Sequence, residues 1–197
     1  MTRTEMPMTV ADAIRSRRSV RNYRAERLDA ATIEALLAAA VRAPTAIHME
    51  PWGFLVIQEM LLLHRISDRA KGLFMAEARR EHLDRGGHDL DVFESPDFSV
   101  FYNAGTLIAI CATRGGPFAP ADCWLAAENL ILTATAMGLG TCVIGSAVEG
   151  LNAPDIRAEI GLPEDAQVVA PIIVGVPADA APPTSRRQPR ILNWLGR

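Results

Sequence analysis

Residues 121–140 read ADCWLAAENLILTATAMGLG. Alanine, leucine and isoleucine recur on every side of a helical wheel drawn through this stretch, which predicts one long helix of roughly 18 residues with no face suited to water. Such a helix belongs either in the centre of the fold or in a subunit interface. The segments around it carry the other period. AGTLIAICAT (104–113) is a buried strand cut off by GGPFAP, TCVIGSAV (141–148) is a strand or extended loop, and AQVVAPIIVGVP (166–177) is another strand. WGFLVIQ (52–58), rich in aromatic and β-branched residues, adds a further short strand.

Helices are legible further out. Thr9 stands as N-cap before VADAIRSR, with Asp12 three residues on as in a capping box with the shorter acid. DAATIEALLAAAVRA (29–43) places Ile33, Leu36, Leu37, Ala40 and Val41 on one face, and Pro44 ends it. Residues 59–85 are helical in spacing, with Gly72 weakening the middle, and 152–161 form a capped helix ending at Gly161. The stretch 86–103 reads as a long loop, functional or mobile. The tail, ADAAPPTSRRQPRILNW, is too proline-rich for a helix. Without internal repeat or linker, 197 residues make one domain, an α+β or α/β layered fold.

Composition excludes several functions. The net charge of −3 does not suit a nucleic-acid binder, which needs an extended basic face. The single lysine, Lys71, and the missing G-x-x-x-x-G-K-[ST] string exclude a phosphate loop of that kind. Cys111, Cys123 and Cys142 form no C-x-x-C pair and no zinc spacing with the four histidines; no metal is expected. Each lies in an apolar stretch as a buried thiol, in keeping with a reducing, cytoplasmic compartment. Neither a secretory signal nor a run of ~18 apolar residues is present, so no membrane association is expected.

Four arginines crowd into RSRRSVR (15–21). They could serve only as cations at a helix C-terminus. Arg17, Arg18 and Ser19 also offer two guanidinium forks and a hydroxyl, a set suited to a phosphomonoester. The connection RAPTAIHMEPWGF (42–54) carries Thr45, His48, Glu50 and Trp52, and SRRQP (185–189) brings back adjacent arginines. Either could be a plain solvated loop.

In order and spacing, RRSVRNY, LLAAAVRAPTAIHMEPWGFLVIQ, AAENLILTATAMGLGTCVIG, APIIVGVP and PTSRRQP together resemble the flavin-dependent nitroreductase family over about residues 9–190. The resemblance implies an α+β homodimer in which a mixed sheet is flanked by helices and FMN sits at the subunit interface. It implies that Arg17, Arg18 and Ser19, continued by Arg21, grip the FMN phosphate, and that Arg187, or Arg186 in its place, closes over it. It implies that the segment holding Pro44, Thr45, His48 and Glu50 reaches the flavin from the partner subunit. Ile144 and Gly145 would approach flavin N5 and O4. His48 and Glu50 stand where the family has an asparagine and a glutamine, and DFSVFYN (97–103) lacks the basic residue that many members place near the pyrimidine edge.

The activity implied is reduction of a small-molecule oxidant, a nitroaromatic, quinone or similar conjugated acceptor, by NADH or NADPH. Hydride would pass through flavin N5 in ping-pong fashion, with no catalytic side chain. Dehalogenation, flavin processing, or flavin binding without turnover are the alternatives.

Overall fold

The protein is described by a computed structural model covering residues 8–81 and 90–196. Its helices are α1 (Val10–Ser16), α2 (Ala30–Ala40), α3 (Met60–Arg80), α4 (Ala119–Ala136), α5 (Val148–Asn152) and α6 (Pro154–Glu159); its strands are β1 (Trp52–Ile57), β2 (Thr106–Ala112), β3 (Gly140–Val143) and β4 (Gln167–Gly175). The strands form one sheet in the order β1-β2-β4-β3. All three neighbouring pairs are antiparallel. The expected α+β class holds, and the only parallel pairing among the described residues is a single bridge between Ser19 and Thr141.

Side chains alternate across β2, so the strand feeds two cores. Leu107, Ala109 and Cys111 pack with α3, α5 and the 98–104 segment. Ile108 and Ile110 pack on α2 and α4. Strand β4 does the same, but its parity changes: Val168 faces the first core while Ala170, Ile172 and Val174 face the second. The cause is a register shift opposite Ile110/Cys111, where one extra residue turns the strand over.

Helix α4 settles the reading of the opening segment. Cys123, Ala126, Ala127, Leu130, Ile131 and Ala134 are buried in the second core, whereas Trp124 and Leu125 are 44% and 47% exposed. The helix is therefore central on one side and leaves Trp124 and Leu125 uncovered on the other.

Several details correct the sequence reading. Helix α2 stops at Ala40 and leaves Val41 exposed as its C-cap, short of Pro44. Helix α3 runs unbroken through Gly72. The expected helix 152–161 is the shorter α6, with Ala153 at its N-cap position, and Asn152, the last residue of α5, does not cap it. Its side chain donates to the carbonyl of Val168 and accepts from that residue's N–H, both at 2.9 Å. Residues 82–89, part of the expected loop and of the end of the 59–85 helix, lie outside the described residues. The remainder of the expected loop is packed rather than open: Asp91–Glu94 forms a 3-10 turn, and Val100 and Phe101 are buried.

One close approach fixes the entry to β2. A Cβ on Gly105 would lie 2.3 Å from the carbonyl oxygen of Glu26, in a connection held by Leu28 N–H donating to Thr106 Oγ1 and Gln58 Nε2 donating to the Leu28 carbonyl at 2.8 Å. Because the obstructing atom is backbone, Gly105→Ala is expected to cost on the order of 3 kcal/mol. Chemical denaturation of the variant checks this; a midpoint equal to that of wild type would contradict it.

Candidate functional site

Helix α1 ends where the arginine cluster begins. Thr9 Oγ1 accepts from Asp12 N–H at 3.2 Å and donates to the Asp12 carboxylate at 2.5 Å, so the capping box read from the sequence is present. The Thr9 hydroxyl, and after it Arg15, hold the Asp12 carboxyl below its ordinary 3.8. A lowered folded-state value contributes stability above pH 3.8, which is lost as the pH falls through the folded value. Wild type is therefore expected to exceed Asp12→Asn in thermal stability at neutral pH, with the difference vanishing in strong acid. A pH series of melting curves checks this.

Beyond the helix, Arg18 turns back, its Nη1 donating to the carbonyls of Arg15 and Arg17 at 2.7 and 2.8 Å. The plain role of a cation at a helix C-terminus thus belongs to Arg18. Arg17 is the C-cap of α1, and Ser19 and Arg21 follow along the chain that pairs with β3, Val20 N–H donating to the Thr141 carbonyl at 2.9 Å.

The tail is brought to the same place by backbone pairing. Arg24 N–H donates to Val176, Ala178 N–H donates to Asn22, and Asn22 Nδ2 donates to the Asp179 carboxylate at 2.9 Å. The two ends of the chain enclose a cavity of about 470 Å³ lined by Arg17, Arg18, Ser19, Arg21, residues of the 179–184 stretch, and Arg186. Arg187 is not among its lining residues. Of the two tail arginines, the structure brings Arg186 to the cluster.

A second cavity, of about 150 Å³, shares Arg21 with the first. Ile144 and Gly145 line it, opposite Phe98 and Tyr102. The Arg21 guanidinium lies 5.8 Å from the Tyr102 ring centroid, within cation–π range. Phe93, Phe98 and Tyr102 follow one another edge to face at 5.3 and 5.5 Å. Cys142 also reaches this cavity; burial raises its thiol, against the opposing pull of Arg21, Ser19 and Arg17. Sequence reasoning passed over this aromatic wall. The available signal was the aromatic density of FESPDFSVFY within a segment read as a loop.

Pro44, Thr45, His48 and Glu50 line neither cavity. They sit on the connection from α2 to β1, whose 3-10 turn Ala46–His48 projects outward with Ile47 87% exposed. Ile47, His48 and Glu50 have φ of 48°, 55° and 44°. Non-glycine residues in this region cost of order 1–3 kcal/mol each and persist where surrounding structure imposes them, often at functional sites. Histidine is among the residue types enriched in left-handed backbone, which suits His48 to this turn.

All three cysteines are free and buried. Among the described residues no group of histidine, cysteine and acidic side chains could hold a metal ion, and no helix is long and apolar enough to cross a membrane.

The sequence profile of the nitroreductase family matches residues 14–176. The chain belongs to the nitroreductase family. The oxidoreductase class and the α+β fold expected from the sequence stand with it. A nitroreductase with bound FMN from Bacteroides fragilis superposes with a TM-score of 0.78 at 28% identity, covering 94% of this chain and 97% of its own. A protein of Archaeoglobus fulgidus, provisionally described as NADH dehydrogenase/NAD(P)H nitroreductase, is 27% identical over 171 residues, 84% of each chain. The iodotyrosine deiodinase of Thermotoga neapolitana is 23% identical, covering 90% of this chain and 93% of its own.

Proposed function

We propose that residues 1–197 form one FMN-binding unit that works as a cytoplasmic homodimer and uses NADH or NADPH to reduce a conjugated, electron-poor small molecule. The observation that carries the reading is the convergence of Arg17, Ser19 and Arg186, from opposite ends of the chain, on one cavity that shares Arg21 with an aromatic one. FMN is a planar ring joined to a phosphate, and this donor set fits it. Guanidinium forks and a hydroxyl suit the phosphate, and a backbone-lined slot beside aromatic rings suits the ring.

When bound, FMN supplies reversible two-electron chemistry between a nicotinamide and an oxidant. The chain's part is to hold, orient and shield. Arg17 and Arg186 would neutralise the phosphate and the Ser19 hydroxyl would donate to it, while Arg18 secures the end of α1 from which Arg17 and Ser19 follow. Ile144 and Gly145 offer backbone, with no side chain at Gly145 to obstruct close approach. The aromatic wall limits water at the ring. The 44–50 connection, which lines neither the arginine-lined cavity nor the aromatic one of its own chain, supplies Thr45, His48 and Glu50 to the partner's site.

The relationship to an iodotyrosine deiodinase supports a second reading, reductive dehalogenation of an aromatic substrate in the same site. Anaerobic titration of the isolated protein with NADH and with NADPH, followed by addition of menadione, nitrofurazone or iodotyrosine, tests both. Bleaching of the flavin band and its return with one oxidant identifies the acceptor class. A protein that stays oxidised with both nicotinamides would be a binding module, and a colourless one would refute the flavin assignment.

A further inference from the structure

We infer that Asp122 is a positioning residue that fixes the backbone of the 45–50 loop, so that its outward side chains meet the partner's site in one geometry; this rests on the function proposed above. Asp122 lies in the first turn of α4 and is only 4% exposed. Its two carboxylate oxygens accept from Ala46 N–H at 3.2 and 3.3 Å. Ala46 opens the 3-10 turn, directly after the extended Thr45 and directly before the left-handed residues.

The far end of the loop is fixed as well. The Pro51 carbonyl accepts from Thr113 N–H at 2.7 Å and from Thr113 Oγ1 at 3.0 Å. Between these two anchors the side chains of Ile47, His48, Met49 and Glu50 are exposed, and the bond that closes the turn, Met49 N–H donating to the Ala46 carbonyl at 3.1 Å, runs back to the residue Asp122 holds. Beneath it Ala46, Ile47, Met49, Phe118 and Asp122 line an apolar cavity of about 170 Å³. Packing from below is therefore incomplete, and the bond from Asp122 acts as a strut across the space.

A buried carboxylate is an expensive way to satisfy one amide. The first turn of α4 offsets part of that cost, since aligned helix N–H groups favour negative charge there. A charge-assisted bond holds the amide more firmly than a neutral acceptor would, which is what a loop made of left-handed residues requires.

The test compares Asp122→Ala with Asp122→Asn, which retains an acceptor oxygen. Hydrogen exchange, followed by mass spectrometry on the protein as isolated, reads the loop directly. Asp122→Ala is expected to speed exchange in a peptide spanning 45–50 roughly tenfold or more while leaving β2 and β4 unchanged. In turnover with NADH and menadione its acceptor KM should rise roughly tenfold, with a smaller loss in kcat. Asp122→Asn should restore most of both. If Asp122→Ala does not fold, Ala46→Pro removes the same bond from the donor side, at the first position of a turn where proline is accepted, and must loosen 47–50 likewise. Unchanged protection of the loop, or faster exchange spread evenly over the sheet, would overturn the inference. A protein without flavin would refute the proposed function, and the exchange measurement would still decide on the strut.

Discussion

Replacing Arg17 and Ser19 together by alanine is expected to weaken FMN binding by roughly 100- to 10,000-fold, because each hydrogen bond to a charged group contributes ~1.5–3 kcal/mol and 1.4 kcal/mol is a factor of ten. Both residues line the larger cavity. The two do not stand alone there, so Arg186 and Arg21 should retain a weak residual affinity. Arg18→Ala should lose far less, since the Arg18 guanidinium is already committed to the carbonyls of Arg15 and Arg17. The same clamp predicts that riboflavin, which lacks the phosphate, binds about as poorly to wild type as FMN does to the double variant. Fluorescence titration of the flavin-stripped protein with both ligands gives all four constants. Double-variant protein that purifies with stoichiometric FMN, or wild type that cannot tell riboflavin from FMN, would place the phosphate elsewhere.

How much of the fold and site is legible in the sequence depends on whether the physics is local. Capping at Thr9, the strand periods and the length of α4 are properties of short windows, and they appear at nearly the predicted bounds. Which core each strand face meets is not local. The bulge in β4 reverses its parity, and no window of VVAPIIVG reveals an event that depends on the neighbouring strand.

The candidate site divides along the same line. RRS is visible as a donor cluster because its chemistry is in the residue types. That Arg186 rather than Arg187 faces it depends on where the tail leaves β4, set by pairing between residues 22–24 and 176–178. In the sequence Asp122 is one acid in an apolar helix; its meaning comes only when Ala46, 76 residues earlier, is placed beside it. Likewise, the aromatics of 93–102 look like loop residues until α3 is seen to hold them. Lys71 Nζ donates to the Phe98 carbonyl at 2.8 Å, and Ser67 Oγ accepts from Val100 N–H at 3.0 Å.

Converting Trp124 to glutamate is expected to weaken self-association by roughly 30- to 1,000-fold, the effect of ~2–4 kcal/mol at an aromatic anchor. Trp124 and Leu125 lie nearly half exposed on a helix whose other face is core, and Val10 and Ile14 of neighbouring α1 are exposed too. Large apolar side chains left this exposed are costly in water and are a usual mark of an interface, and obligate ones bury ~2,000 Å² or more. Placing a carboxylate there adds desolvation of a charge to the lost contact. Trp124 reaches neither cavity, so the substitution spares the phosphate donors while removing the second subunit. If the 44–50 loop does complete the partner's site, the monomer should lose turnover and bind FMN less tightly, although its own clamp is intact. Sedimentation velocity over a dilution series, with the flavin absorbance followed in the same boundary, measures both effects together. A wild-type monomer that carries FMN at micromolar concentration, or a Trp124→Glu dimer indistinguishable from wild type, would show that the exposed side of α4 faces something other than a second copy of this chain.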